Sequence, residues 1–198
     1  MRGAVAACAA TIGAGALFVQ RKAAQEFLHR NAPQVVRTYG RVRRAVHATL
    51  PAANGKFGAD LVAPNIYLGS IGDAHCVSDL KARGVTRVLT AAAGVKPSYP
   101  ADFEYLTLDV MDVGDEPLDV HFEAADEFLS NAQAPVLVHC MYGMSRSATL
   151  VCAHLIRSHG YTVDDAIRQL QEARPRVRPN AGFVEQLRDF EGRMNSAE

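Results

Sequence analysis

Two hydrophobic rhythms divide the chain. From about residue 60 onward, short apolar runs alternate with stretches of helical periodicity. "NIYLGS" (65–70) reads as a short strand, and Asp73 to Arg83 as a helix stopped by Gly84. "VTRVLTAAA" (85–93) is β-branched and suits a buried strand. "VKPSYP" (95–100) breaks the chain twice with proline. "FEYLTLDV" (103–110) reads as another strand. "PLDVHFEAADEFLSNAQ" (117–133) places Leu118, Phe122, Ala125 and Leu129 on one face, which predicts a helix. "PVLVHC" (135–140) is a fully apolar strand, and "SATLVCAHLIRSHG" (147–160) a buried helix ending at Gly160. Thr162 has the character of a helix N-cap, with Asp165 three residues on as its capping-box partner. "NAGFVEQLRDFEGRM" (180–194) closes the pattern as an amphipathic helix. Strands that alternate with helices predict an α/β domain over 60–198, with a central, mostly parallel sheet flanked by helices.

Residues 1–59 follow another pattern. Residues 3–20 carry no charge but are rich in Ala and Gly, and so are marginal in length and content for a spanning helix. Beyond them, Val35, Tyr39, Val42, Val46 and Leu50 fall at helical spacing, with Arg37, Arg41, Arg43, Arg44 and His47 mostly on other faces. Three readings fit: an organelle transit peptide, a membrane-surface helix, or a helix that packs its valine stripe on the following domain. Charge sharpens the division. Residues 1–59 hold nine Lys or Arg against one acid, leaving the extension at +8 and the remainder at −8. A globally basic nucleic-acid binder is not indicated. Four cysteines without C-x-x-C spacing argue against a zinc module or a disulfide-stapled secreted fold, and fit a reducing, cytoplasmic compartment.

The chemistry concentrates in "VLVHCMYGMSRSATLV" (136–151). Ligands of open α/β sheets bind outside the carboxyl ends of strands, and Cys140 ends the most apolar strand. Met141, Tyr142, Gly143, Met144 and Ser145 lead into a helix beginning near Arg146. Backbone N–H groups of such a loop form an anion nest, and the helix N-terminus adds its positive dipole end. Gly143 permits a positive φ. Arg146 offers a planar fork suited to two phosphate oxygens. The same field lowers a thiol's pKa, so Cys140 is a candidate nucleophile toward phosphorus. His139 points to the opposite face of the strand and fixes the loop. A lone cysteine more often simply packs, which is the reading for Cys8, Cys76 and Cys152.

His139-Cys140-x-x-Gly143-x-Ser145-Arg146-Ser147 resembles the signature loop of cysteine-dependent protein tyrosine phosphatases, in the form used by dual-specificity phosphatases. "PNAGFVEQLRDFE" (179–191) is similar to that family's closing helix, and "NIYLGS" and "VTRVLTAA" to its opening strands. The resemblance covers residues 60–194 and is nearest to small stand-alone members, including plant-type ones. It implies a phosphocysteine on Cys140 that water then hydrolyses, with neither metal nor cofactor. It implies that Ser147 assists departure of the sulfur and that Asn180 braces the loop, a role compatible with capping the last helix. A leaving group needs a proton from a separate loop. Asp109, Asp112, Asp115 and Glu116 are candidates. The family's acid stands ten positions before a helical Phe, which selects Asp112 ahead of Phe122, with Asp115 as runner-up. Ser145 is a further donor within the loop, while Tyr142 and Met144 point their bulk away from the nest. Arg174, Arg176 and Arg178 read by themselves as a solvated basic turn; the resemblance places them near the pocket rim, where one of them would meet a second phosphate or an acidic substrate flank.

The expected activity is hydrolysis of phosphotyrosine and phosphoserine or phosphothreonine in proteins, a kinase among the conceivable substrates. A phosphoinositide or other non-protein phosphomonoester is the alternative within the same chemistry, mildly favoured by the basic extension and its possible membrane surface. A phosphoprotein-binding module without turnover is the third reading. The intact Cys140, Arg146, Ser147 and Asp112 speak against it.

Overall fold

In the computed structural model, the structure describes residues 57–196, and the readings made for residues 1–56 lie outside the described residues. Five strands form one sheet: β1 (Asp60–Ala63), β2 (Ile66–Gly69), β3 (Arg87–Ala91), β4 (Glu104–Leu108) and β5 (Val136–His139), in the order β1-β2-β5-β3-β4. β5 runs parallel to β2 and β3, and β3 parallel to β4, whereas β1 pairs antiparallel with β2 at the edge. The mostly parallel sheet predicted by the alternation of runs is therefore present. The apolar run of β5 occupies the centre because both its faces are covered: Val136, Leu137, Val138 and His139 are all buried.

Helices α1 (Ile71–Ala74) and α2 (Val77–Ala82) follow β2. α3 (Phe122–Ser130), α4 (Arg146–His159), α5 (Val163–Ala173) and α6 (Ala181–Asn195) follow β4 and β5. The larger core joins α3, α4, α5 and α6 to the sheet through Leu68, Leu89, Phe122, Val138, Leu150, Leu170, Phe183 and Leu187. A smaller core with Leu80, Val85, Val88, Phe103 and Leu137 lies around α2. α4 is buried from Arg146 to Ile156, so its first turn sits inside the protein, directly behind the C-terminal end of β5. Gly160, at φ 68°, ends it as a left-handed cap. Thr162 caps α5 as expected, accepting from Asp165 N–H at 3.1 Å.

Several boundaries differ from the sequence reading. The single helix expected over Asp73–Arg83 is two short ones with a break at His75-Cys76. Asp73 does not start a helix. Its buried carboxylate caps α1 from within, accepting from Ser70 N–H (2.6 Å), Ser70 O–H (2.7 Å) and Gly58 N–H (2.6 Å). Residues 118–121 form a 3-10 turn that buries Leu118 before α3 begins. Strand β1 was not foreseen, and its turn to β2 places Asn65 at φ 60°, a conformation asparagine tolerates. Residues 57–59, assigned from sequence to the extension, pack on the domain: Phe57 lies edge-on to Tyr67, and Gly58 bonds to Asp73. Among the described residues, no helix is long and apolar enough to cross a membrane.

Candidate active site

Cys140 leaves the central strand at the sheet's carboxyl edge and is 1% exposed. The next residues fold back over it. Gly143 sits at φ 67°, and a Cβ there would stand 2.4 Å from Gly69 O. The tight loop therefore requires glycine on two grounds, conformation and space. Its N–H donates to Cys140 Sγ at 3.2 Å. Ser147, in the first turn of α4, donates its hydroxyl to the same sulfur at 3.2 Å.

Two opposed effects act on that thiol. Burial raises its pKa. The Arg146 charge, the Ser147 hydroxyl and the N–H groups of Ser147 and Met144 lower it, and the net shift is downward. Cys152, further along α4, isolates the cause: it is equally buried, has burial alone acting on it, and is pushed up to about 12. Burial makes a cysteine inert here, and the loop reverses that at one position only.

Arg146 is 8% exposed and donates Nη1 to Val110 O at 3.2 Å. Its Nε is buried and makes no hydrogen bond within the protein, although the Asp112 carboxylate lies 3.5 Å away as an ion pair. A planar guanidinium with a donor not yet hydrogen-bonded, beside the Cys140 sulfur, suits a tetrahedral oxyanion.

Asp112 comes from the loop after β4. It accepts from Ser145 Oγ (2.7 Å) and Asn180 Nδ2 (2.9 Å), and its second oxygen lies 3.5 Å from Arg146 Nε. Of the four acidic candidates, it is the one that these contacts bring to the phosphate loop. Asp109 instead binds Gly94 N–H. Asp115 is exposed. Glu116 has its pKa raised, chiefly by burial, but its carboxylate lies against the backbone of Met111. Proton affinity alone would favour Glu116; position favours Asp112.

Asn180 serves two sites at once. Its Oδ1 caps α6 by accepting from Phe183 N–H at 3.0 Å, while its Nδ2 holds Asp112. Ser145 likewise links neighbours, accepting from Asn180 N–H at 3.2 Å and donating to Asp112. His139 braces the strand end. Burial lowers its pKa to about 4, so the ring is neutral. Nδ1 lies 3.3 Å from Cys140 O and Nε2 2.8 Å from Thr90 Oγ1. Only the Nδ1–H tautomer satisfies the carbonyl, which leaves Nε2 to accept from the threonine. Tyr142 is 57% exposed, directed away from the loop interior, and Met144 is half-buried.

The arginine cluster requires a correction. Arg176 and Arg178 are exposed, with no acidic partner among the described residues, and Arg178 N–H binds Met144 O at 2.8 Å. Arg174 is not at the rim: it is 2% exposed. Its Nε donates to Gly143 O (2.8 Å), its Nη2 to Tyr142 O (3.4 Å), and its Nη1 to Gly58 O (2.9 Å) and to the Asp60 carboxylate. It turns the loop's carbonyls outward, which leaves the N–H groups facing the sulfur. The signal was present in the sequence. Ala166, Leu170 and Arg174 are four apart, and the first two define the buried face of α5.

A nucleophilic thiol beneath an anion loop, a buried arginine and an opposing carboxylate define the site of a cysteine-dependent phosphatase. Comparison with known proteins agrees. The family described as dual specificity phosphatase, catalytic domain, matches residues 66–193. Dual specificity protein phosphatase 1 of Arabidopsis thaliana is 39% identical over 137 residues, covering 68% of this chain and 69% of that protein. Dual specificity protein phosphatase 1B of the same plant is 37% identical over 139 residues, 68% of this chain and 83% of its own. Among solved structures, human DUSP28 aligns with TM-score 0.64 and 33% identity over 69% of this chain and 95% of its own. A human tyrosine phosphatase-like serine/threonine/tyrosine-interacting protein aligns with TM-score 0.67 and 31% identity over 69% and 97%. The chain belongs to the dual specificity phosphatase family.

Proposed function

We propose that the chain hydrolyses phosphotyrosine and phosphoserine or phosphothreonine in proteins through a phosphocysteine on Cys140. The observation that carries this is the Cys140 sulfur itself, buried yet acidified by Arg146 and Ser147. The phosphoryl oxygens occupy the loop N–H groups and the Arg146 fork. Cys140 Sγ attacks in line; the S–P bond forms and the P–O bond to the leaving group breaks. The departing oxygen takes the proton of Asp112. Water then attacks phosphorus and gives a proton back to the Asp112 carboxylate. The S–P bond breaks, and the sulfur leaves as a thiolate that the Ser147 hydroxyl stabilises. Charge stabilisation comes from groups already in place before the substrate arrives.

Arg176 and Arg178 flank the loop on the Asn180 side and suit a substrate with a second phosphate or acidic residues near the scissile one, as a doubly phosphorylated kinase segment would present. The site works in the cytoplasm under this proposal, with residues 1–50 directing association with an organelle or membrane surface. A phosphoinositide headgroup, bearing several phosphates, fits less well, because Arg146 is the sole cation within the loop.

The test is turnover by the full chain, with EDTA present, of diphosphorylated peptides against phosphoinositide vesicles, beside Cys140→Ser and the double variant Arg176→Ala/Arg178→Ala. Peptide turnover lost in Cys140→Ser, with a raised KM in the double variant, supports the reading. Preferential turnover of the vesicles redirects it to lipids. Phosphopeptide binding without turnover replaces it with a binding module.

A further inference from the structure

We propose that the first turns of α6 hold the proton donor in place, with Gly182 and Gln186 acting as positioning residues for Asp112. The inference rests on the phosphatase reading above and concerns one step of it, protonation of the leaving oxygen.

The segment carrying Asp112 has no regular structure between β4 and the turn at Leu118, and loops move more than the elements they join. A general acid tolerates little such motion, since a catalytic group must stay within about 0.5 Å of its productive position. The structure supplies the restraint at three heights along α6. At the cap, Asn180 Nδ2 holds the Asp112 carboxylate at 2.9 Å. Two residues on, in the first turn, Gly182 lets the backbone of Gly114 lie directly on the helix. A Cβ at Gly182 would stand 1.9 Å from Gly114 O and 2.7 Å from Gly114 Cα, so any other residue would displace the acid loop two positions from Asp112. One turn further, the Gln186 amide bridges the loop's far end, donating to Glu116 O at 2.8 Å and accepting from Asp119 N–H at 2.9 Å.

Gly182 and Gln186 are four residues apart and share a helix face. Glycine inside a helix is destabilising relative to alanine, and here the close approach of Gly114 accounts for its presence. Neither residue touches the phosphate loop in the hydrogen-bond network. Both act on catalysis only through the position of Asp112.

This separates them from residues that build the anion site. The proton matters in proportion to the basicity of the leaving oxygen. Phenyl phosphate releases a phenolate akin to tyrosine's, with a pKa of about 10. 2,4-Dinitrophenyl phosphate releases an anion that leaves without help. Steady-state kinetics of the full chain on both substrates should therefore compare Gly182→Ala and Gln186→Ala with Asp112→Asn, with circular dichroism reporting the fold. General acids contribute ~10²–10⁴-fold, so a displaced one should cost about tenfold or more in kcat/KM on phenyl phosphate, which reports transfer to Cys140 and not the later hydrolysis. On dinitrophenyl phosphate, kcat/KM of both variants should stay within about twofold of the unaltered chain, while kcat falls where hydrolysis of the phosphocysteine, which also uses Asp112, limits turnover. The alkaline limb of the phenyl phosphate pH profile should flatten, as in Asp112→Asn.

Equal losses of kcat/KM on the two substrates would overturn the proposal by assigning these residues to general packing. So would full activity on both. If Gly182→Ala does not fold, Gln186→Ala decides by the same criterion. Absence of Cys140-dependent turnover in the unaltered chain would be a different failure, overturning the phosphatase reading and this inference with it.

Discussion

Replacing Arg174 with methionine keeps most of the side chain's length and removes its donors. Four acceptors lose them: Gly143 O, Tyr142 O, Gly58 O and the Asp60 carboxylate. Asp60 is half-exposed and can recover water, so its loss is small. The carbonyls of Tyr142 and Gly143 belong to the phosphate loop, and these two and that of Gly58 face a guanidinium on a residue 2% exposed, where water does not easily replace it. Removing one side of a buried charged network costs roughly 3–5 kcal/mol; the exposure of Asp60 places the expectation at about 3 kcal/mol. For a domain of this size, that lowers Tm by about 10 °C. The second effect is on function. Freed of the guanidinium, the carbonyls of Tyr142 and Gly143 can rotate toward the sulfur, where they oppose an anion. The inhibition constant for vanadate or inorganic phosphate should rise at least about tenfold, worth ~1.4 kcal/mol. Arg174→Lys keeps the charge without the planar fork and should fall between. Urea unfolding and anion inhibition measure the two effects separately. An Arg174→Met chain with unaltered stability and anion affinity would refute the bracing role. Arg176→Ala and Arg178→Ala, whose side chains are exposed, should leave stability within about 0.5 kcal/mol.

Other outcomes follow from the same geometry. Ser147→Ala removes the hydroxyl from Cys140 Sγ. The thiol pKa should then rise, the acidic limb of the kcat/KM profile should move to higher pH, and phosphocysteine should accumulate in quenched samples as sulfur departure slows by about tenfold. Gly143→Ala places a methyl 2.4 Å from Gly69 O on a backbone at φ 67°; vanadate protection against iodoacetamide should be lost, while retained protection would contradict the tight cradle. His139 titrates near 4 in the fold against about 6.5 unfolded. Between those values the unfolded chain binds the proton and the folded one does not. Stability from this group is thus complete above about pH 6.5 and falls by up to about 3 kcal/mol toward pH 4. His139→Gln should flatten that slope in urea titrations at pH 7 and 4.5, and an unchanged slope would place the acid sensitivity elsewhere.

What the sequence made legible was whatever is written in contiguous residues. β5 is an uninterrupted apolar run and α4 carries an apolar centre, and the seven residues from Cys140 to Arg146 span one loop and one helix start. Their chemistry can be inferred before any tertiary contact is known. β1 escaped notice because four residues with two buried positions carry too little periodicity to stand out. The break at His75-Cys76 was hidden because the carboxylate of Asp73 is consumed by Ser70 and Gly58, the latter fifteen residues away. Arg174 was misplaced because arginine near proline reads as surface, although its spacing from Leu170 put it on the buried face. The contact of Gly114 with Gly182 has no local trace at all: each glycine alone is compatible with an ordinary turn or helix start. For the Asp73 cap and the Gly114–Gly182 contact, position relative to distant backbone was the missing information, not the chemistry of the residue.

The central claim is that phosphate passes through Cys140. Acid-quench mass spectrometry of the full chain during turnover of a phosphotyrosyl peptide, with EDTA present, tests it most directly, using Ser147→Ala to lengthen the intermediate's life. The account predicts a phosphate adduct on the peptide containing Cys140, and no adduct and no turnover in Cys140→Ser. Turnover that survives in Cys140→Ser, or an adduct on another residue, would contradict it.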